Sequence, residues 1–397
     1  MRLKGAEITI LGAGVAGLAL ARALALHGAE VTVMEQAEAI REVGAGLQIT
    51  PNGATVLRAL GLGPALEAAS TRAQGVELRD GPADSRVLAM DLAKLRPGMG
   101  WHLLHRADLI ALLAEGARAA GVQIRLLQRI QSVDLTGGRP RLLTQQGAEL
   151  APALVIGADG LHSPMRAALN GKVAPFFTRQ VAWRCVIPAE PGAAPVAEVH
   201  MGPGRHLVSY PLRGGTLRNI VAVEERNRWV EEGWNTRDDP MALRLAFAGF
   251  SPRVRGWLDQ AAEVWLWGLF RHPVAEHWGR VLPEGFAAIL GDAAHPTLPF
   301  LAQGANMALE DAWVLAELLA ARGPGEAALS AYRALRADRC ARIVAAANAN
   351  ARNYHLSSPL RDLAHLALRI GSRIAPAAPL KRFDWLYGHD VTAQAYG

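Results

Sequence analysis

The chain contains very little cysteine. Its 397 residues include only Cys185 and Cys340, which stand far apart in the sequence. Two distant cysteines build neither a disulfide framework nor the closely spaced ligands of a structural zinc site, so we predict no metal centre. This usage is typical of a protein kept in a reducing compartment, and we expect a cytoplasmic location.

Clustered charge and long apolar runs are also lacking. Lysine and arginine number 42 against 36 acidic residues, but no run of five basic residues occurs, which predicts no nucleic-acid binding. No apolar segment reaches the roughly 20 residues that a membrane-spanning helix needs, so we expect no membrane association. The hydrophobic share of 51% is sufficient for a large core, and the length indicates about two domains.

A glycine-rich turn near the N terminus is the first positive signal. A buried strand is predicted for Glu7 to Leu11, and Gly12-Ala13-Gly14-Val15-Ala16-Gly17 follows it directly. An Ala/Leu-rich helix then runs to Leu26, Gly28 ends it, and Glu30 to Glu35 forms the next strand. These elements complete a βαβ unit of the size that binds a dinucleotide.

The glycines of this turn have distinct physical roles. Gly12 permits the tight turn, Gly14 lets the backbone approach a pyrophosphate at the helix N terminus, and Gly17 allows close packing of helix and strand. Glu35 stands where an acceptor for ribose hydroxyls is expected. A coincidental glycine-rich turn is the alternative, but strand, helix and terminal acid in register disfavour it. We assign to the dinucleotide Gly12, Gly14, Val15, Ala16, Gly17, Glu35 and Gln36.

A second region of the chain lacks the βαβ pattern. Strands rich in β-branched and aromatic residues are predicted at Val181 to Ile187, His206 to Tyr210, Ile220 to Val223 and Val264 to Phe270. We interpret residues 71–100 and 171–280 as a mostly antiparallel, substrate-binding sheet domain. It is inserted into a discontinuous nucleotide domain made of residues 1–70, 101–170 and 281–350. The predicted fold class is α/β, with a three-layer Rossmann-like domain, this inserted sheet and C-terminal helices.

Residues 351–397 form the predicted C-terminal helical segment. Leu360, Leu363, Leu366, Leu368 and Ile370 recur there with arginines between them, as in an amphipathic helix. Such a helix packs on the protein body or on another subunit. Both alternatives stay open, so a homodimer is one expectation.

Two further motifs follow the glycine turn in a fixed order. Gly157-Ala158-Asp159-Gly160 continues with Ser163 and Arg166, and Gly291-Asp292-Ala293-Ala294-His295-Pro296 continues through residue 312. The combination resembles the single-component FAD-dependent aromatic hydroxylases, the group of salicylate, 3-hydroxybenzoate, 6-hydroxynicotinate and 4-hydroxybenzoate monooxygenases. The match spans nearly the whole chain, and residues 291–312 are its very specific part.

The resemblance implies an enzyme with three small reactants. FAD would be the cofactor, NAD(P)H a transient electron donor without a domain of its own, and O₂ the co-substrate. A flavin C4a-hydroperoxide would then hydroxylate a phenolic or N-heteroaromatic ring, which we expect to carry a carboxylate. The cavity must exclude water, because the hydroperoxide otherwise collapses to H₂O₂.

The same resemblance assigns cofactor contacts outside the glycine turn. Asp292 can accept hydrogen bonds from ribityl hydroxyls, and the helix that begins near Gly304 can stabilise negative charge on the flavin. Arg106, in the run His105-Arg106-Ala107-Asp108-Leu109, would contact the FAD phosphate or ribose. Asp159 is either a structural Asp-Gly turn or a group that holds FAD and guides the nicotinamide. These assignments comprise Gln48, Arg106, Asp159, Asp292, Gly304, Ala305 and Asn306.

Candidates for a catalytic base lie on one predicted strand. His206 and Tyr210 are four residues apart and would face the same way, and relatives of the salicylate and 3-hydroxybenzoate type carry this pair. A histidine suits base catalysis near neutral pH, whereas a surface histidine and a core tyrosine are the alternative. Gln303 is the third catalytic candidate. Weaker candidates for the pocket, each with core packing or surface exposure as its alternative, are His295, Trp183, Cys185, Phe300, Arg184 and Arg213.

Other functions share parts of this pattern. An epoxidase or a quinone-pathway hydroxylase would use the same fold, since fold does not fix substrate. A flavin-dependent halogenase would carry W-x-W-x-I-P, which Trp265-Leu266-Trp267 matches only in its first half. A non-catalytic flavoprotein is a further alternative. Phe270-Arg271-His272-Pro273 stands where relatives often have D-R-x-P, so the substrate stays open.

Overall fold

The computed structural model of the chain describes residues 3–40, 45–226 and 236–397. The strands of this part are β1 (Glu7–Leu11), β2 (Glu30–Met34), β3 (Gly46–Ile49), β4 (Thr71–Arg72), β5 (Gly75–Asp80), β6 (Arg86–Asp91), β7 (His102–His105), β8 (Gln123–Arg125), β9 (Ile130–Asp134), β10 (Arg141–Thr144), β11 (Glu149–Leu150), β12 (Leu154–Gly157), β13 (Phe176–Pro188), β14 (Val196–Gly202), β15 (Arg205–Leu212), β16 (Leu217–Glu225), β17 (Arg237–Asp238), β18 (Val264–Arg271), β19 (Gly279–Leu282) and β20 (Gly285–Ile289). The helices are α1 (Val15–Leu26), α2 (Pro51–Ala59), α3 (Gly63–Ala69), α4 (Leu92–Leu95), α5 (Arg106–Ala119), α6 (Pro164–Asn170), α7 (Pro240–Ala246), α8 (Pro252–Asp259), α9 (Gly304–Arg322), α10 (Glu326–Tyr354), α11 (Leu360–Ile374), α12 (Ala378–Arg382) and α13 (Asp384–Tyr387).

The nucleotide-type sheet is six-stranded and mostly parallel. Its order is β19-β20-β12-β1-β2-β8, and only the edge strand β19 pairs antiparallel with its neighbour. Helices α1 and α9 pack against each other beside it. Because β1, β12 and β20 are parallel neighbours, the three motifs that follow them meet at one edge of the sheet.

The inserted sheet is eight-stranded, in the order β17-β18-β13-β16-β15-β14-β5-β6. All of its neighbouring strands are antiparallel except β14 and β5. The predicted α/β class, with a Rossmann-like domain, an inserted antiparallel sheet and C-terminal helices, is confirmed. The described part of the chain contains no helix that is both long enough and apolar enough to cross a membrane.

The two faces of the inserted sheet have different partners. Trp183 and Cys185 on β13 are buried with Phe247 and other residues of α7 and α8. Trp267 on β18 and Phe300 belong to a separate cluster on the opposite side. Of the two alternatives that the sequence left open for Trp183 and Cys185, the structure therefore supports core packing, because both side chains lie on the sheet face that meets α7 and α8 rather than the cavity.

Helix α11 places its large apolar side chains outward. Leu360, Leu363 and Leu366 are 64%, 63% and 54% exposed. Its inward face carries both polar and apolar side chains, and His365 Nδ1 lies 3.2 Å from the Asp80 carboxylate. The expected amphipathic helix is present, but its leucine stripe does not pack on the protein body.

A buried ionic network joins α9 to α10. Asp311 accepts hydrogen bonds from Gly291 N at 3.0 Å, from Arg336 Nε at 2.7 Å and from His295 Nε2. Glu310 accepts from Arg336, and from Arg339 Nε at 2.8 Å. Asp311, Glu310 and Arg336 are each 0% exposed. Charges that are so completely desolvated are tolerated only because each has an opposite partner.

Replacing Arg336 by leucine should destabilise the whole fold. Arg336→Leu leaves two buried carboxylates without their shared cation, and we expect the free energy of unfolding to fall by about 3–5 kcal/mol. Urea denaturation measures this loss. The control is Arg333→Leu on the exposed side of the same helix, which should stay within about 0.5 kcal/mol of the unmodified protein. Equal stabilities of the two variants would contradict the role of the network.

Candidate active site

A large cavity lies where the two main sheets meet. Its volume is about 1160 Å³, and its walls come from the glycine turn, the first turn of α9 and one face of the inserted sheet. Most of the predicted site residues line it, namely Gly14, Val15, Ala16, Gln48, Arg106, His206, Tyr210, Asp292, Gln303, Gly304 and Ala305.

The glycine turn has the shape that a dinucleotide requires. Gly12 adopts a φ of +99°, and a Cβ there would collide with the carbonyl oxygen of Ala158. A Cβ on Gly17 would collide with the carbonyl oxygen of Gly12. A Cβ on Gly14, in contrast, would meet no atom within 4 Å and would enter the cavity. Backbone N–H groups at the start of α1 can therefore approach a diphosphate.

Glu35 stabilises the glycine turn. Its carboxylate accepts hydrogen bonds from the N–H groups of Ala13, at 2.7 Å, and Ala37, at 2.8 Å. Each oxygen keeps a further lone pair, so contact with a ribose hydroxyl remains compatible with this position. Gln36 is exposed and does not belong to the cavity wall.

Asp292 and Arg106 lie on the wall of the same cavity. Burial raises the pKa of Asp292, while the positive charges of His295, Arg106 and His272 act in the opposite direction. The side chain of Gln48 accepts a hydrogen bond from Trp101 Nε1 at 2.9 Å. These groups can meet a ligand that presents both hydroxyls and phosphates.

The N terminus of α9 supplies backbone rather than side-chain groups. Gly304 and Ala305 line the cavity, and no side chain caps this end of the helix. The Asn306 side chain points elsewhere: it accepts from Thr50 N at 3.0 Å and donates to the carbonyl of Gln48 at 3.0 Å. The structure therefore places the Asn306 side chain behind the cavity wall, where it holds β3.

Asp159 and Arg166 connect the second motif to the third. Burial raises the pKa of Asp159 to about 6, and its Oδ2 lies 3.4 Å from Met165 N. Arg166 donates to the carbonyls of Ala293, at 2.9 Å, and Ala294, at 3.1 Å. Arg166 thus holds the loop that carries Asp292.

His206 and Tyr210 are buried and share the cavity wall, as predicted from their spacing. His206 Nδ1 lies 2.7 Å from His355 Nε2, and His355 Nδ1 lies 2.7 Å from Glu225 Oε1. Burial, together with the neighbouring His355, holds the pKa of His206 well below its usual value. Burial raises the pKa of Tyr210.

Gln303 reaches the cavity wall with its amide already engaged. Its Oε1 accepts from Asn52 Nδ2 at 3.0 Å, and its Nε2 donates to Thr50 Oγ1 at 3.0 Å. These bonds tie the loop before α9 to α2. The geometry favours a positioning role for Gln303 over direct contact with a reacting atom.

His295 is not a cavity residue, contrary to the weaker expectation from the sequence. It bonds to Asp311 within the buried ionic network. The ligand atoms of His295, Asp311 and Cys340 lie within 4.8 Å of one another. Arg336 nevertheless donates to the same Asp311 carboxylate at 2.7 Å, so a metal ion there would face a guanidinium charge.

The two arginine candidates lie in different places, one at the cavity and one at the surface. Arg184 lines the cavity, and its guanidinium carbon lies 3.9 Å from the centre of the Trp267 ring. Arg213 lies at the surface, where its NH2 group bonds to Asp108 at 2.9 Å.

Sequence reasoning missed His355 and Glu225. His355 is 149 residues away from His206, and it directly follows α10, which ends at Tyr354. No local pattern marks a pair that forms only when the end of α10 reaches β15 and β16.

Comparison with known proteins identifies the family. A family model described as an FAD binding domain matches residues 5–347. The 3-amino-4-hydroxybenzoate 2-monooxygenase of Streptomyces platensis is 34% identical over 395 residues, covering 97% of this chain and 96% of that protein. The 3-hydroxybenzoate 6-hydroxylase of Klebsiella oxytoca is 31% identical over 391 residues, covering 96% of each. The solved structure of Klebsiella pneumoniae HpxO complexed with FAD and uric acid has a TM-score of 0.78 at 25% identity, covering 93% of this chain and 94% of that chain.

Substitution of Gly14 should abolish cofactor binding without unfolding the protein. The side chain of Gly14→Val would extend into the open cradle beside α1, where a diphosphate must approach the backbone. We expect a loss of flavin absorbance per protein, with little change in circular dichroism of the cofactor-free form. The control is Gly98→Ala, where an added Cβ also meets no atom within 4 Å but lies outside the cavity wall. Full flavin content in Gly14→Val would contradict this assignment.

The match to the FAD binding domain family, which covers most of the chain, agrees with the geometry of the cavity. The open position of Gly14, the uncapped N terminus of α9 and the half-buried Asp292 meet where a flavin dinucleotide would bind. The chain belongs to the FAD binding domain family and is an FAD-dependent aromatic-ring monooxygenase.

Proposed function

We propose that this enzyme hydroxylates a phenolic or N-heteroaromatic ring whose hydroxyl group is deprotonated by His206. The observation that carries this proposal is a buried histidine on the cavity wall with a second histidine and a carboxylate behind it. An aromatic ring becomes a better nucleophile when its hydroxyl loses a proton. A base beside the ring therefore increases its reactivity toward an electrophilic oxygen.

FAD would supply the redox chemistry, accepting a hydride from NAD(P)H and activating O₂ for transfer of one oxygen atom. The chain holds this cofactor with the residues already described. The glycine turn would receive the diphosphate, Asp292 the ribityl hydroxyls, and Arg106 the phosphate or ribose. The start of α9 would face the flavin ring.

His206 is suited to the role of a neutral base. Because burial and His355 lower its pKa, the imidazole stays unprotonated near neutral pH. Its Nδ1 is occupied by His355, which leaves Nε2 as the ring nitrogen for a substrate hydroxyl. A proton accepted at Nε2 can be balanced by transfer of the Nδ1 proton to His355 and then to Glu225, which is half-exposed.

The rest of the wall suits a planar, anionic substrate. Trp267 and Phe300 provide apolar surface, and Arg184 provides a positive charge that can pair with a ring carboxylate. The two relatives described above are named for hydroxybenzoate substrates. Tyr210, kept neutral by burial, can donate a hydrogen bond to the same ring.

Location and assembly remain proposals. Both cysteines are free and buried, which fits the expected cytoplasmic location. The exposed leucines of α11 fit the expected homodimer, which light scattering of the purified protein would test.

Removal of the His206 side chain should uncouple the enzyme. We expect His206→Ala to lower product formed per NAD(P)H consumed by about 10²-fold or more, because general-base catalysis contributes this much. Flavin content should stay near that of the unmodified enzyme, since His206 is not among the expected cofactor contacts. His277→Ala, at an exposed position, is the control. Unchanged coupling in His206→Ala would remove this residue from the mechanism.

Substitution of His355 should shift the pH profile. The positive charge of His355 lowers the pKa of His206, so His355→Gln should raise that pKa toward its usual value. His206 would then become protonated at higher pH, and the acidic limb of kcat/KM should move upward. Glu225 and Arg205 also face His355, the first raising and the second lowering its pKa. A limb that stays in place in His355→Gln would show that His355 does not act on the base.

A further inference from the structure

The cavity continues well beyond the catalytic strand. His206 and Tyr210 lie on β15, and Val208 between them faces the same way. Val208 pairs with Val199 on β14, Val199 with Leu78 on β5, and Leu78 with Leu88 on β6. All of these side chains line the cavity. With neighbouring strands about 4.8 Å apart, this row extends about 14 Å from β15.

A second row of apolar side chains runs beside the first. Ala197 on β14 pairs with Val76 on β5, and Val76 pairs with Met90 on β6. These residues also line the cavity. We call this part of the cavity the aliphatic wing, formed on the sheet by Val208, Val199, Leu78, Leu88, Ala197, Val76 and Met90.

Helix α11 covers the aliphatic wing with few large side chains. Small side chains supply most of its part of the cavity wall, and the larger ones are His365, Leu368 and Ile374, whereas Leu363 and Ile370 are 63% and 49% exposed. The residues of α11 that line the cavity are Ala364, His365, Ala367, Leu368, Gly371, Ser372 and Ile374. An amphipathic helix that served only to close the core would turn its leucines inward. The observed orientation leaves apolar volume between the sheet and the helix, and unfilled apolar volume is destabilising.

Two basic side chains of α11 near the aliphatic wing already have a carboxylate partner. His365 lines the cavity from α11, and its Nδ1 lies 3.2 Å from the Asp80 carboxylate at the end of β5. Arg361 approaches the same carboxylate at 3.8 Å. The sheet side of the wing is aliphatic throughout, so a charged or strongly polar substituent would lose hydration there without compensation.

We propose that the aromatic substrate carries an aliphatic substituent that occupies the aliphatic wing while its ring lies beside His206 and Tyr210. This inference rests on the proposed function and adds the substrate class to it. The occupant is part of the substrate because the wing and the ring site form one continuous cavity. Burial of each methylene in such an environment is favourable, so the substituent contributes affinity that a bare phenolic acid lacks.

A homologous series of 6-alkyl-2,4-dihydroxybenzoates, which keep the expected ring carboxylate, tests the wing directly. The FAD-loaded enzyme is titrated with the methyl, pentyl and heptyl compounds, and dissociation constants are taken from the perturbation of flavin absorbance. We expect affinity to increase by about fourfold per added methylene until the wing is filled. Equal affinities across the series would overturn the proposal.

Two substitutions fill the wing from the helix side. Ala364→Phe adds a large side chain to the wall, and at Gly371 an added Cβ meets no atom within 4 Å, so Gly371→Leu can fold. Both should weaken pentyl and heptyl binding by about tenfold or more and leave methyl binding nearly unchanged. Leu363→Phe, on the outward face of α11, is the matched control and should preserve the whole series. Equal weakening of short and long compounds by the filling variants would overturn the proposal.

Three further outcomes separate this inference from the proposed function. Product formation from the methyl compound, without any gain from longer chains, would support ring hydroxylation and reject the wing as a substrate site. Binding of heptanoate as tight as that of the heptyl dihydroxybenzoate would mean that the wing recognises a chain without a ring, which also rejects the proposal. Absence of NAD(P)H-dependent product from every phenol in the series, despite chain-length-dependent binding, would instead count against the proposed function.

Discussion

The desolvated ion cluster between α9 and α10 is the constraint on which the rest of the site depends. Asp311 binds the backbone of Gly291 as well as Arg336, so the charge that joins two helices also fixes the loop that presents Asp292 to the cavity. Glu310 accepts from Asn52 Nδ2 at 2.6 Å and thereby connects the same cluster to α2. Because a buried carboxylate without its cation is strongly destabilising, these elements cannot shift independently. The loop that carries Asp292 is consequently held in place by buried charges behind the cavity wall.

Two helix N termini then become available to one ligand. The cluster sets the position of α9, α9 packs on α1, and both helices begin at the cavity with no side-chain cap. Each end presents backbone N–H groups and a partial positive charge. The tight approach of β1 to β12, which only glycine at position 12 permits, brings α1 close enough for this arrangement. A cofactor with a central diphosphate and an electron-accepting ring at one end matches that distribution of charge.

Local patterns predicted the elements of the fold well, and contacts between distant segments explain what they missed. The glycine turn and four of the eight strands of the inserted sheet follow from residue spacing, a pattern that depends only on residues close together in the sequence. Alternation on β13 showed that Trp183 and Cys185 share a face, but it could not show which face meets the cavity. The roles of His295 and of the Asn306 side chain depend on partners that are distant in sequence, namely Asp311 and the backbone of β3. His355 could not be predicted for the same reason, because it reaches His206 only through the length of α10. The site residues therefore stay a prediction, with the cavity as their structural support.

The active site needs both a cavity without water and an acceptor for the substrate proton, and these two requirements conflict. Side chains of the protein take the place of water as the proton acceptor. Water would carry a proton away from a ring hydroxyl, yet water also competes with the oxygen-transfer step. The wall beside His206 is apolar on both sides, with Phe300 at 5.4 Å between ring centres and Val208 next along the strand. His355 and Glu225 continue from His206 by hydrogen bonds of 2.7 Å each, so a proton can pass to a half-exposed carboxylate while the cavity stays apolar. The apolar surroundings solvate the protonated form of His206 poorly. This lowers the pKa of His206, so the side chain stays neutral and able to accept a proton.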